Sequence, residues 1–258
     1  MDFPALAEQA RTGRADIPDS WKQGRTAYGG LTAALLLERA RADTADLPPL
    51  RSALIHFTGP VTDAPDLSSD ILRRGRNVTT IAARASIDGQ VCGTGTFSFG
   101  AGRDSSVAKD LDAPDATAPE DCPPFMPPQF ERFAPAFFGN FECKLIEGDR
   151  PVSGSDRGYI RAWARHRSET ARGGDSALLC LADILPPAAM PMLSAPGPVS
   201  SMTWIYNQLR PADTSDGWYM VEAELSAAVD GYSSQVIRIW NTDRQLVVEG
   251  MQSIVIFA

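Results

Sequence analysis

Gly29-Gly30-Leu31-Thr32-Ala33-Ala34-Leu35-Leu36-Leu37-Glu38-Arg39-Ala40 is the stretch on which the fold turns. From Leu31 to Ala40 it consists of helix-forming residues with no internal Gly or Pro, which predicts a helix. Its apolar side chains fall on nearly every side, so the helix is expected to be buried almost all round. The arrangement recurs once. Gly173-Gly174 opens Asp175-Ser176-Ala177-Leu178-Leu179-Cys180-Leu181-Ala182-Asp183-Ile184-Leu185, which has the same character.

Strand-like runs follow each helix. After the first come Ala53–Phe57, Asp70–Arg73, Asn77–Ile87 and Gln90–Phe99. After the second come Met202–Leu209, Trp218–Ala227, Ser233–Trp240 and Gln245–Phe257. They are rich in Val, Ile, Thr and aromatic residues and are separated by turn residues. Strands following strands, without βαβα alternation, predict an α+β protein.

Ile87-Asp88-Gly89-Gln90 and Thr242-Asp243-Arg244-Gln245 read as one hairpin turn used twice. Shifted by 155 residues, Asp88, Gln90, Val91, Gly95 and Ser98 fall on Asp243, Gln245, Leu246, Gly250 and Ser253. The helices align at a shift of 144 or 145. These matches point to an internal duplication. The expected unit is a central helix wrapped by an antiparallel sheet, present twice, with the two sheets able to pair edge to edge and so protect their edge strands.

Between the copies, Pro114, Pro119, Pro123, Pro124, Pro127 and Pro128 are interspersed with Asp110, Asp112, Asp115, Glu120 and Asp121. Such a stretch forms neither a helix nor an inner strand. The expected organisation is therefore an N-terminal unit over 1–102, a linker over 103–128 and a C-terminal unit over 129–258.

Composition narrows the function. The chain has 258 residues, 24 basic against 32 acidic, a net charge of −8 and 43% hydrophobic residues. That is enough apolar material for a core. The acidic balance argues against a nucleic-acid partner. No apolar run approaches the roughly 18 residues of a membrane helix, and Met1-Asp2-Phe3-Pro4 lacks the features of a leader, so the expected location is the cytoplasm. Cys92, Cys122, Cys143 and Cys180 are far apart, with no CxxC and no clustered His. Neither a zinc site nor a disulfide scaffold is expected, and the thiols read as small buried hydrophobes with one or two exposed. No metal or cofactor is expected.

Several enzyme classes lack their motifs. There is no GxSxG elbow, no P-loop and no strand-linked GxGxxG. Of the two histidines, His166 lies in Arg165-His166-Arg167, where neighbouring positive charge disfavours an imidazolium. His56, in Leu54-Ile55-His56-Phe57, reads as a strand histidine. A Ser-His-Asp triad is therefore not expected.

The chain resembles the acyl-CoA thioesterase II family of double-hotdog proteins. The resemblance rests on Gly24-Arg25-Thr26-Ala27-Tyr28-Gly29-Gly30, Gly75-Arg76-Asn77-Val78-Thr79-Thr80 and Leu181-Ala182-Asp183-Ile184. Ser200-Ser201-Met202-Thr203-Trp204, Ala228-Val229-Asp230-Gly231-Tyr232-Ser233-Ser234 and Gly250-Met251-Gln252-Ser253-Ile254-Val255 complete it. It covers all but the linker and the first dozen residues. It implies a double hotdog, hydrolysis of an acyl-CoA to free acid and CoA, and further assembly as a homo-oligomer, a dimer. It also implies a catalytic trio in the second unit, an Asp on the helix, a Thr or Ser starting the next strand and a Gln on the last strand. These positions match Asp183, Ser201 and Gln252, with Ser200 one register away. Tyr28, Gly29, Gly30 and Gly174 are the candidate substrate-binding residues.

The residue chemistry agrees. Thioester hydrolysis needs a placed water, a proton acceptor and help for a developing oxyanion. Asp183 is the acceptor. Ser201 and Gln252 each offer a donor and an acceptor for the water. Gln252 sits in a strand that otherwise reads as core, where an unpartnered amide is costly. The paired glycines permit close approach of a carbonyl to helix N–H groups, or serve only as tight turns into the helices. Chain from Asp183 to Ser201 is short and carries five prolines. For CoA phosphates, Arg73, Arg74 and Arg76, or Arg161, Arg165 and Arg167, are basic candidates that also read as solvated strand faces. Three other functions compete with thioester hydrolysis: acyl-thioester binding without turnover, hydration of an enoyl thioester, for which the Asp-His pair is missing, and a purely structural subunit.

Overall fold

The computed structural model describes residues 1–257. Three helices, α1 (Phe3–Arg11), α2 (Gly29–Ala42) and α3 (Asp175–Leu181), accompany twelve strands. In the N-terminal half these are β1 (Lys22–Gln23), β2 (Thr26–Ala27), β3 (Leu50–Phe57), β4 (Asp66–Arg74), β5 (Val78–Ile87) and β6 (Gln90–Gly100). In the C-terminal half they are β7 (Phe141–Gly148), β8 (Tyr159–His166), β9 (Val199–Gln208), β10 (Tyr219–Val229), β11 (Tyr232–Trp240) and β12 (Leu246–Ile256). All eight expected strands form, within a few residues of their expected ends.

The halves share one sheet. Its order is β4-β5-β6-β3-β9-β12-β11-β10-β8-β7, antiparallel throughout, while β1 and β2 form a separate small hairpin. The join is the β3–β9 pair, running from Ser52 opposite Asn207 to His56 opposite Thr203. Around it the order is mirrored, β3, β6, β5, β4 on one side and β9, β12, β11, β10 on the other, as duplication requires. Edge-to-edge pairing thus removes two sheet edges, as expected.

The two halves differ in three respects. β7 and β8 extend the C-terminal half and have no long counterpart in the first. The β5–β6 turn is a two-residue loop with both Asp88 (φ 50°) and Gly89 (φ 78°) left-handed. The β11–β12 turn is longer, closed by Asn241 N–H to Gln245 O, and only Arg244 (φ 63°) is left-handed. The two turns are therefore not the same, although they join equivalent strands. Finally, α3 stops at Leu181, short of the expected Leu185. Pro186 bars the residue before it from the helical region, and the last turn tightens, with Ile184 N–H on Leu181 O.

α2 is buried along nearly its whole length, from Gly30 through Glu38 and at Ala40, and α3 from Ser176 to Leu181. They lie side by side and antiparallel. The start of α2 meets the end of α3, where Tyr28 OH donates to Cys180 O at 2.9 Å. The end of α2 meets the start of α3, where Arg41 pairs with Asp175 and Ser176 donates to Glu38. α1, which no expectation covered, buries Phe3, Leu6 and Ala10 and packs on α2. Its signals are an N-cap, Asp2 accepting from Ala5 N–H, and helical spacing of those apolar residues.

The Pro- and Asp-rich segment is fastened to the C-terminal half. Arg210 pairs with Asp110, Trp240 Nε1 donates to Leu111 O, Arg244 to Ala113 O and Trp163 Nε1 to Thr117 O. It carries the chain past strands β9 to β8 toward β7 at the far edge. At about 4.8 Å per strand this is a span no short loop can make. All four cysteines are buried and unpaired, where one or two exposed thiols were expected. No helix among the described residues is long and apolar enough to cross a membrane.

Candidate active site

Asp183 follows α3 directly, on the turn before Pro186-Pro187, and not within the helix as the resemblance implies. The antiparallel helix pair puts this turn against the start of α2. There the Gly30 backbone N–H faces the Asp183 carboxylate and favours its ionised form. A Cβ on Gly29 would lie 2.6 Å from Asp183 Oδ2 and 3.4 Å from the Phe57 ring, so only glycine leaves the carboxylate room. From the sheet, Gln252 Nε2 donates to Asp183 Oδ1 at 2.6 Å.

Gln252 stands on the inner face of β12, between buried Gly250 and Ile254, opposite Trp204 of β9. Its carbonyl oxygen accepts from Gln235 Nε2 at 2.8 Å, and Gln235 Oε1 accepts from Ala188 N–H at 2.6 Å. The cost of burying an amide in this apolar row is offset by a partner at each of its polar atoms, as its setting in the sequence requires. Gln235 is the residue that sequence reasoning missed. The signal is there, a glutamine in the inward row Ser233, Gln235, Ile237, Ile239 of β11.

Asp183 keeps a partial opening to solvent. Loss of surrounding water nonetheless pushes its carboxyl up to about 7, against the opposing pull of the Gln252 amide and the Gly30 N–H. Burial holds the nearby Cys180 thiol and Tyr28 hydroxyl well above their ordinary values, so both are neutral. A carboxylate poised near neutrality, beside the free N–H groups of a helix start, can take a proton from water.

Ser201 lies opposite Ile254 on β9, which puts it on the same face of the sheet as Gln252, two positions along β12. A β-bulge between Thr203 and Ser201, at Met202, sets this register, and Ser200 stands opposite Val255, exposed. Among the described residues the Ser201 hydroxyl has no hydrogen-bond partner, and it makes none with Asp183 or Gln252 directly. Tyr28 is 1% exposed, its ring stacked on Phe137 at 4.0 Å and its hydroxyl held by Cys180 O, which makes it part of the helix seam. Gly174 caps the start of α3 with φ +79° and nothing near it. It is at the opposite end of the helix from Asp183, so the structure separates it from the other candidates.

The duplication has a counterpart of this site at that opposite end. Glu38 aligns with Asp183 on the helices, and Phe97 with Gln252 on the last strands. Glu38 is closed off by Arg11 and Ser176, and the buried Phe97 ring offers no amide. Asp175 there accepts from Gln208 Nε2 at 2.6 Å and pairs with Arg41. Asp175 also keeps a partial opening, but its carboxylate is neutralised by Arg41, whereas among the described residues no cation pairs with Asp183.

The histidines are elsewhere. His56 is opposite Thr203 and Thr94, on the outer face. His166 is 3% exposed, its Nε2 2.9 Å from Ala177 O. Its pKa is lowered to about 4, chiefly by burial and secondarily by Arg172, not by its sequence neighbours Arg165 and Arg167. Those candidate phosphate contacts are also engaged, Arg161 with Glu147, Arg165 with Glu142 and Arg167 with Gly139 O. Arg73, Arg74 and Arg76 are at the hairpin beside Gly100, at the far end of α2 from Gly29. Two surface hollows, of about 450 and 490 Å³, lie by Arg41 and by Arg51 and do not reach Asp183.

Comparison with known proteins follows this geometry. A family model of the acyl-CoA thioesterase C-terminal domain matches residues 119–256, and one of the N-terminal domain matches residues 17–100. No curated protein matches the chain by sequence. Among solved structures, a conserved hot dog-fold protein of unknown function from Alicyclobacillus acidocaldarius superposes with a TM-score of 0.86 at 21% identity, covering 98% of each chain. A putative thioesterase II from Thermobifida fusca gives 0.81 at 17%, covering 99% of this chain and 97% of that one. An acyl-CoA thioesterase II from Mycobacterium marinum gives 0.74 at 17%, covering 98% of each. The expected double-hotdog architecture is thereby shown.

Proposed function

The chain belongs to the acyl-CoA thioesterase family, a family of thioester hydrolases, and from that premise we propose that it hydrolyses an acyl-CoA to free acid and CoA with a water held by Asp183, Ser201 and Gln252. The observation that carries this reading is the Asp183 carboxyl, pushed up to about 7 and oriented by Gln252 at the start of α2. A base near neutrality is ionised often enough to accept a proton and basic enough to pull it.

The steps balance. The water oxygen bonds to the thioester carbonyl carbon as its proton passes to Asp183 Oδ2. The carbonyl π pair moves onto oxygen. Charge there is met by the N–H groups of the first turn of α2, which have no acceptor within the helix. When the carbonyl re-forms, the C–S bond breaks and the proton on Asp183 goes to sulfur, leaving a carboxylic acid and the CoA thiol. Ser201 and Gln252 orient the water before attack. Glycine at position 29 leaves room for the Asp183 carboxylate beside those N–H groups, and glycine at position 30 lets α3 close on the start of α2.

The experiment is thiol release from acyl-CoAs ranging from acetyl to palmitoyl, with a phenylacetyl ester, by the wild-type chain and by Asp183→Asn. Turnover that Asp183→Asn reduces by about 10²-fold or more fits a lost general base. Full turnover by Asp183→Asn, or acyl-CoA binding with no turnover in the wild type, would overturn the reading.

A further inference from the structure

Resting on that reading, we propose that Gln235 is a positioning residue of the site, fixing the Gln252 amide with its NH2 group on Asp183 in either protonation state of the carboxyl. The relay has one possible polarity. A backbone N–H only donates, so Ala188 N–H requires the oxygen of Gln235. The Gln235 NH2 is then the end presented to Gln252, where it requires the oxygen of that amide. The Gln252 NH2 is left for Asp183. Gln235 and Gln252 are direct cross-strand partners on β11 and β12, and both are at most 3% exposed, so water does not compete for these bonds.

Ionised Asp183 would orient Gln252 unaided. Protonated Asp183 would not, because its O–H can equally donate to a flipped Gln252 oxygen. Gln235 blocks that flip. It thereby withholds a hydrogen bond from the protonated acid and favours the ionised base. It also anchors the far end of the turn that carries Asp183, since Ala188 is the first residue after Pro186-Pro187 with an N–H to give. Other groups facing Asp183 do not supply this control. Tyr28, ahead of α2, and Cys180, on α3, are both neutral, and Phe57 of β3 carries no charge.

The test compares wild type with Gln235→Met, which keeps the volume but loses both hydrogen bonds. Two readouts are taken: the pH dependence of kcat/KM for thiol release from an acyl-CoA, and a carboxyl ¹³C NMR titration of Asp183, identified by its loss in Asp183→Asn. The expected result is a rise of the acidic limb and of the Asp183 titration by about one pH unit or more in the variant. Should Gln235→Met not fold, Gln235→Asn, which keeps the amide and withdraws it by one methylene, reads the same shift. A folded variant with an unmoved Asp183 titration overturns the proposal, whatever its stability. A wild-type chain that releases no thiol sinks the thioesterase reading alone, because the titration is read without turnover.

Discussion

The Gly29 Cα and the Asp183 carboxylate approach so closely that a single methyl on Gly29 would stand 2.6 Å from Asp183 Oδ2. The neighbouring Gly30 is crowded by different atoms, the Cys180 carbonyl and the Tyr28 ring of the helix seam. The two glycines are therefore expected to fail differently. Gly29→Ala displaces the base and lowers kcat by about 10²-fold while the fold survives, because misplacing a reacting group by an ångström costs about that much. Gly30→Ala overpacks the α2–α3 contact and lowers stability by about 1–3 kcal/mol. Thiol-release kinetics and denaturant melts on both variants distinguish them, and equal effects on both readouts would contradict the assignment.

Asp183 makes stability depend on pH in a direction unusual for a carboxylate. Its folded pKa of about 7 is above the ordinary aspartate value of about 3.9. Between those values the folded state binds the extra proton, so stability falls as pH rises from about 4 to 7. Asp183→Asn, which can still accept from Gln252, is expected to be more stable than wild type at pH 8 by on the order of 2–4 kcal/mol, and no more stable at pH 4. Urea melts at the two values check this. An advantage that is the same at both would mean the carboxyl is not shifted.

His166 works in the opposite sense over an overlapping range. Its folded pKa of about 4 is below the ordinary value of about 6.5. The unfolded chain takes up the proton first, so stability is lost as pH falls from about 6.5 to 4. His166→Gln is expected to be less stable than wild type at pH 7, having lost ring packing against Phe141 and Phe3. The deficit should shrink by on the order of 2–3 kcal/mol by pH 4, and a pH-independent deficit would exclude the linkage.

Glu38 tests whether the counterpart site has any part in the reaction. It accepts from Arg11 Nε at 2.7 Å and from Ser176, and is buried. Glu38→Gln is expected to lower stability by about 1–3 kcal/mol through the weakened contact with Arg11 and to leave thiol-release rates within about twofold of wild type once folded. A loss comparable to that of Asp183→Asn would assign chemistry to both halves.

Much of the architecture was legible because its signals are local. The helix-forming runs after Gly29-Gly30 and Gly173-Gly174 and the eight strand runs each depend on periods of a few residues, which neighbours in sequence fix. β8 was missed for a related reason. Tyr159–His166 is buried at nearly every position, so it lacks the alternation that marks a half-exposed strand. Pro186 marks where the helix can run no further, but the end at Leu181 in place of Leu185 was set by the tightening of the last residues into a turn, with Ile184 N–H on Leu181 O.

The site divides along the same line. The sequence by itself determined that Gln252 needs polar partners, because an amide in a period-2 apolar row cannot be left unpaired, and that glycines open α2. Only the tertiary structure decided which partners those are. The antiparallel packing of α2 on α3 brought Gly29 and Gly30 to Asp183 and carried Gly174 away from it. The bulge at Met202 decided that Ser201, and not Ser200, shares the face of Gln252. The pairing of β11 with β12 put Gln235 beside Gln252. These outcomes depend on crossing direction and strand register between segments far apart in the chain, and a change of one residue in register turns a side chain to the other face.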